Sequence, residues 1–320
     1  MVHGLLLRAP QGHPDRYESA LASVDVIPLS IPVLETVLVN QTELRCIVEN
    51  GPQKSDVDGV IITSARACEA WGAAVRSLGG SHPNVGKQAY LKPCWFTSFR
   101  PTHNIGWHDV PFYVVGTGTA ESLSTIATHN RESPHIPHDI RGGVESGTGE
   151  RLAQFIVQDA SRVPTDRQGG GHRYLFLTGD KNRETLPLIL SAGGISLDSL
   201  MVYETRGSST FSANLSTSLS SVQQDKALEE WWIVYFAPSV ADFVTPVLRN
   251  HFDLEMRDEH CRDESLPVNP ISRPRARVAC IGPTTSAFLR DTLNIRVDVV
   301  SPKPTPEALA TAIKAFTEGH

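Results

Sequence analysis

The chain has 320 residues, of which 40% are hydrophobic and 20% charged, and its formal net charge is −6. This is enough apolar material for about two ordinary domains, and it excludes a disordered chain. A mildly acidic balance is a poor fit to general nucleic-acid binding, which rests on neutralising phosphates, and no run of ~20 apolar residues offers a membrane-spanning helix.

The chain starts MVHGLLLRAP, where the apolar stretch Gly4-Leu5-Leu6-Leu7 is cut short by Arg8. That is too short for a secretory signal and is expected to be a first buried strand. Gly59-Val60-Ile61-Ile62 predicts a strand, followed by a helix over 65–78. Phe112-Tyr113-Val114-Val115 predicts another, with a helix over 119–128, and a further helix is expected over 151–158. Tyr174-Leu175-Phe176-Leu177 precedes a predicted helix over 182–192. Ile233-Val234-Tyr235-Phe236 and Val278-Ala279-Cys280-Ile281 complete the strands, each with a helix after it. The chain closes with a helix from Pro306, where Thr305 is the expected N-cap and proline suits the first helical position. Strands apolar on both faces, each followed by a helix, predict parallel α/β layers.

Two strand-to-helix units recur in the same order. Gly116-Thr117-Gly118-Thr119-Ala120 resembles Gly282-Pro283-Thr284-Thr285-Ser286, and the turn at Thr63-Ser64-Ala65 corresponds to Phe236-Ala237-Pro238-Ser239. This predicts two related α/β domains that differ by loop insertions. Four stretches read as solvated loops from composition: 129–149, rich in His, Pro and Gly; 168–171; 207–221, rich in Ser and Thr; and 250–275, dense in charge. His129, His135, His138, His251, His260 and Cys261 fall in them, at spacings that match no zinc pattern, so no metal site is expected. The five cysteines form no CxxC pair, which predicts reduced thiols and a cytoplasmic setting.

The chemistry is expected at the turns. Thr63-Ser64, Gly116-Thr117-Gly118-Thr119 and Gly282-Pro283-Thr284-Thr285 each set hydroxyls beside the first amides of a helix. Those amides lack intrahelical partners and, with the helix dipole, suit an anion. Taken singly, such residues are simple N-caps. Several at the carboxyl ends of parallel strands predict a ligand with several carboxylates or phosphates, bound in a cleft if the two domains face each other. No dinucleotide fingerprint or P-loop lysine pattern is present, so no cofactor is expected.

Six motifs in order resemble the uroporphyrinogen-III synthase family. They are 62–70 (ITSARACEA), Tyr113-Val114-Val115-Gly116 with Thr119-Ala120, 177–187 (LTGDKNRETLP), Val202-Tyr203-Glu204-Thr205, Cys280-Ile281-Gly282-Pro283-Thr284-Thr285, and 301–313 (SPKPTPEALATAI). The resemblance implies two related parallel-sheet, flavodoxin-like α/β domains joined by a two-stranded linker. It implies a terminal domain of 1–33 with 207–320 and an inserted domain of 34–206, with the active site in the cleft. The activity implied is a lyase reaction of tetrapyrrole (heme) biosynthesis, in which linear hydroxymethylbilane closes to uroporphyrinogen III with loss of water and inversion of ring D. The implied partners are this polyanionic bilane and, transiently, hydroxymethylbilane synthase; neither nucleic acid nor membrane is implied, and a monomer is expected.

The resemblance makes Tyr203 the first candidate, as a general acid on the departing hydroxyl, with Thr119 and Thr284 as further catalytic donors. Ser64, Gly116, Pro238, Ser239 and Gly282 are candidate substrate contacts, and Thr285 is one too, although a capping role suits it better. Arg66, Lys181 and Arg277 are candidate cations for carboxylates, each with a surface ion pair as its plainer reading. One departure stands out: where relatives often read Ser-Pro-Ser, this chain reads Ala237-Pro238-Ser239. The rival reading is a non-catalytic two-domain module that binds an anionic ligand on the same scaffold. A sugar-nucleotide transferase is disfavoured by length and by the missing nucleotide loop.

Overall fold

A strand with apolar side chains on both faces is stable only with a helix layer on each side. The computed structural model of the chain has that arrangement twice. It describes residues 1–79, 105–129, 133–162, 171–222, 230–254 and 273–319. The chain divides into two compact units, one made of Met1–Glu35 with Arg206–His320 and the other of Thr36–Thr205.

The terminal unit is built on a parallel sheet of five strands: β1 (Val2–Leu6), β2 (Val26–Ser30), β9 (Glu230–Tyr235), β10 (Ala276–Ile281) and β11 (Val299–Ser301). Their order is β11-β10-β9-β1-β2, with Val2 level with both Val26 and Glu230. Alternation along the strands sends side chains to two cores. Leu5, Ile233, Tyr235 and Val278 meet α7 (Phe211–Val222) and α8 (Pro238–Leu248). Leu6, Trp232, Val234 and Ala279 meet α1 (Arg16–Ala22) and α10 (Pro306–Glu318). Thr305 caps α10 as expected, its hydroxyl accepting from the Ala308 amide at 3.3 Å.

The middle unit holds β3 (Leu34–Leu38), β4 (Gly59–Ile62), β5 (Phe112–Val114), β6 (Ile140–Arg141), β7 (Arg173–Gly179) and β8 (Ser196–Gly207). The order is β3-β8-β7-β4-β5-β6. On one face, Val60, Ile62, Leu175 and Leu177 pack with α2 (Gln41–Lys54), α3 (Ala65–Gly79) and α4 (Gly116–His129). On the other, Ile61, Tyr113, Tyr174 and Phe176 pack with α5 (Gly149–Ala160) and α6 (Thr185–Ala192). The chain leaves the first unit along β3 and returns along β8. Val39 donates to Val202 and Ser208 donates to Val33, a register in which one strand runs up as the other runs down, so this pair is antiparallel.

Setting β3 aside, the two sheets have one plan. In the middle unit the chain runs β4, β5, β6 outward from the centre, then crosses to β7 and β8 on the other side. In the terminal unit β9, β10 and β11 take the outward places, and β1 and β2 take those of β7 and β8. The sheets are thus related by circular permutation, because the middle unit is spliced in after β2. The matched corners confirm it at residue level. Gly116 and Gly282 follow equivalent strands, open α4 and α9 (Gly282–Ala287), and hold φ of +70° and +78°, a region open chiefly to glycine.

Three loop expectations need correction. Residues 207–221 are not a solvated loop but mostly the helix α7. Phe211, Leu215 and Leu219, four residues apart, form a buried stripe that the surrounding Ser and Thr hid in the composition. Within 129–149 lies the edge strand β6, and Ile136 and Ser146 are buried. At the start of 250–275, Phe252 and Leu254 are buried and Asp253 bridges to Arg275. His260, Cys261 and residues 168–170 lie outside the described residues.

Candidate functional site

Ligands of open α/β sheets bind beyond the carboxyl ends of the strands, where the chain's direction of travel across the sheet reverses. In the middle unit that point is between β4 and β7, and most of the sequence candidates in this unit lie beside it. Ser64 follows β4, Lys181 follows β7, and Tyr203, within β8, is level with Gly179, the last residue of β7.

Tyr203 reaches this point through an irregularity. Thr178 is level with Met201, but Gly179 is level with Tyr203, so β8 carries one extra residue there. Leu200 and Val202 face the core two residues apart, as regular alternation requires, and the bulge leaves Val202 unpaired with β7 and sets Tyr203 beside Gly179. The ring of Tyr203 is half-buried against the α2–α4 core. Its hydroxyl has no hydrogen-bond partner among the described residues. The Arg66 guanidinium, exposed in the first turn of α3, lies 6.0 Å from the ring centroid. A phenol and a cation are therefore neighbours at the strand ends. Lys181 is exposed in the loop after β7 and makes no ion pair among the described residues.

The hydroxyls divide into caps and others. Ser64 is the N-cap of α3, accepting from the Ala67 amide at 3.2 Å. At the next corner the Gly116 amide donates to the Ser146 carbonyl at 2.7 Å, which ties the loop after β6 to the end of β5. Thr119 is buried one turn into α4, where its carbonyl lies 3.6 Å from the Cys68 sulfur. The exposed hydroxyl of this corner belongs to Thr117, at the head of an open groove of about 500 Å³ that runs along α4 past Glu121 and Thr125 to His129. Burial pushes the Cys68 thiol up to about 12, so it stays protonated and is no nucleophile.

In the terminal unit the equivalent point is between β1 and β9. Arg8 stands above it. Its guanidinium pairs with Asp15 at 2.9 Å and lies 4.9 Å from the Tyr17 ring centroid and 5.5 Å from that of Phe236, just after β9. Asp15 is also the N-cap of α1, accepting from the Tyr17 and Glu18 amides. Burial alone would raise its carboxyl, but the Gln11 amide, the Arg8 guanidinium and the Glu18 amide together hold it below the usual range. Across the switch point α8 opens at Pro238 with Ser239 exposed, and the Ala237 N-cap has no side chain able to bond the helix amides. One strand further out, Thr284 is exposed in α9 and Thr285 is buried. Thr285 is not the cap expected of it: α9 starts at Gly282 and has no side-chain cap.

A family model described as uroporphyrinogen-III synthase HemD matches residues 15–311. The chain belongs to the uroporphyrinogen-III synthase family. It is 27% identical over 317 residues to the uroporphyrinogen-III synthase of Saccharomyces cerevisiae, covering 98% of this chain and 96% of that one. To the Schizosaccharomyces pombe protein of the same name it is 25% identical over 318 residues, covering 99% and 98%. Among solved structures it is similar to uroporphyrinogen-III synthetase from Helicobacter pylori, at 13% identity and a TM-score of 0.41, over 99% of this chain and all of the other. Members of the uroporphyrinogen-III synthase family are enzymes, and the chain is an enzyme on that ground.

Within this uroporphyrinogen-III synthase chain, one candidate stands apart from the rest. Arg277 is the second residue of β10, and Gly282 follows the last, so four strand residues separate Arg277 from the corner. It pairs with Glu230 at 3.4 Å and lies over the rings of Trp232 and Phe316. The plainer reading as an ion pair is the one the structure realises. Conversely, the sequence reading passed over Arg8, taking it only as the end of an apolar run. Its partner Asp15 is seven residues on, across a loop that contains Pro10 and Pro14, and no short motif announces the pair. Among the described residues no three metal-ligating side chains gather at one point, and no helix is long and apolar enough to cross a membrane.

Proposed function

We propose that the chain closes linear hydroxymethylbilane to uroporphyrinogen III, as a lyase, with loss of water and inversion of ring D. The bilane's ring-A hydroxymethyl group loses its hydroxyl as water, leaving an electrophilic azafulvene. Tyr203 gives the proton that makes the hydroxyl a leaving group. The pyrrole N–H proton released as the azafulvene forms balances the one given. The substituted α-carbon of ring D then bonds to the azafulvene carbon, forming a spiro intermediate. Breaking and remaking the bonds to ring D turns that ring around.

The observation that carries the reading is the Tyr203 phenol: it lies level with Gly179, the last residue of β7, beside the Arg66 guanidinium, with its hydroxyl unengaged by the described residues. The substrate bears an acetate and a propionate on every ring. Amides at the starts of α4, α8 and α9, the hydroxyls of Thr117, Ser239 and Thr284, and the cations Arg66 and Lys181 suit such carboxylates. In this reading Thr119 supports the α4 corner from beneath rather than contacting substrate, and Arg277 is removed from the set. Positioning supplies much of the rate, because the bilane also closes unaided, to the unflipped isomer. No electrons are transferred, so the reaction needs no redox cofactor.

The test is to supply freshly made hydroxymethylbilane and to separate the uroporphyrin isomers formed. The expected product is isomer III, made faster than the unaided closure. Isomer I alone, at the unaided rate, would favour the rival binding module.

A further inference from the structure

We infer that Gly179 is a positioning residue for Tyr203, keeping empty the space in which the phenol must lie. The inference rests on the acid role proposed for Tyr203. A Cβ added at Gly179 would stand 2.4 Å from both Cε2 and Cζ of Tyr203 and 2.7 Å from its hydroxyl oxygen. All three of its nearest atoms belong to the reactive end of that one ring. Unlike Gly116 and Gly282, Gly179 is not in the left-handed region, so its backbone would accept alanine. What excludes a side chain there is the phenol.

The local architecture explains the approach. In a regular parallel pair the residue level with Gly179 would be Val202. The bulge between Thr178 and Gly179 skips Val202, which stays on the core face with Leu200, and brings Tyr203 level instead. The ring then lies flush against bare backbone at the last residue of β7. Since the obstruction is the far end of a rotatable side chain, an added methyl group would push the ring aside and leave the strands paired. The hydroxyl would be displaced from the strand ends while the fold survives. A displacement of about 1 Å can cost a reaction 100-fold.

The experiment is a double-mutant cycle with bilane turnover as its readout. Gly179→Ala is expected to lower kcat by about 10–100-fold with KM little changed. In a Tyr203→Phe background the same substitution is expected to cost less than twofold, because no hydroxyl remains to be misplaced. Wild-type turnover in Gly179→Ala, or an equal loss in both backgrounds, would overturn the inference while leaving the role of Tyr203 intact. Wild-type turnover in Tyr203→Phe would overturn both, and so separates the two failures. Should Gly179→Ala lower the melting temperature, the pair Gly179→Ala/Tyr203→Ala is expected to melt with Tyr203→Ala alone, since the obstructing ring is gone. A persistent loss in that pair would make Gly179 a backbone residue and overturn the inference.

Discussion

The corner after β4 carries Ser64, whose hydroxyl satisfies an amide of α3, whereas the equivalent corner after β9 carries Ala237, and α8 opens without a side-chain cap. Each corner has one neighbour across its switch point. In the middle unit this is Gly179 with the Tyr203 phenol, whose hydroxyl is unengaged by the described residues; in the terminal unit it is Arg8, held by Asp15 and two aromatic rings. One topology thus furnishes two kinds of ground. The middle unit offers a donor that is free to act, and the terminal unit offers open helix amides beside a cation that is already neutralised. The difference teaches that a repeated fold fixes where a site lies, while side chains at four or five corner positions decide what it can do.

This comparison can be broken at several points. The matched glycines should behave alike. Gly116→Ala and Gly282→Ala each force a non-glycine residue to φ near +70° to +78°, while an added Cβ meets only the Ser146 carbonyl oxygen at 3.8 Å in the first and nothing in the second. Each is expected to cost roughly 1–2 kcal/mol in denaturant unfolding. A negligible cost at one of them would mean that the corners are not equivalent.

The caps should behave as opposites. Ser64→Ala is expected to destabilise by about 1 kcal/mol, and Ala237→Ser to stabilise by a similar amount by supplying the missing acceptor. Turnover sharpens this pair. If the open amides of α8 hold a substrate carboxylate, the new hydroxyl of Ala237→Ser competes for them and raises KM; an unchanged KM would separate α8 from binding.

The smallest effect is expected at Arg277. Its partly exposed ion pair with Glu230 and its place over Trp232 contribute to stability alone, so Arg277→Ala should cost about 1 kcal/mol or less. Steady-state turnover of that variant should match wild type. A large loss of kcat/KM in a stably folded Arg277→Ala would return this residue to the site.

Much of this was legible in the sequence, for identifiable reasons. Runs such as Val60-Ile61-Ile62 and Ile233-Val234-Tyr235 are apolar on both faces, and that pattern leaves little but a parallel strand between helix layers. The matched glycine corners stood out because positive φ keeps the residue type narrow. What stayed hidden was long-range or masked by composition. Helix α7 lay under a surface of Ser and Thr, with only Phe211, Leu215 and Leu219 to betray it. The bulge that brings Tyr203 level with Gly179 depends on how two strands register, and no single-strand pattern encodes that. Arg277 lies close to the Gly282 motif along the chain, but four further strand residues carry the backbone along β10 before Gly282, and nearness in sequence does not give nearness in space.

The account turns on the Tyr203 phenol as the acid level with the end of β7, and its most direct test is the turnover of Tyr203→Phe, measured with freshly made bilane alongside substrate affinity. Loss of the hydroxyl should lower kcat by about 100-fold or more while affinity stays within a few-fold of wild type. Undiminished kcat with full production of isomer III would contradict it.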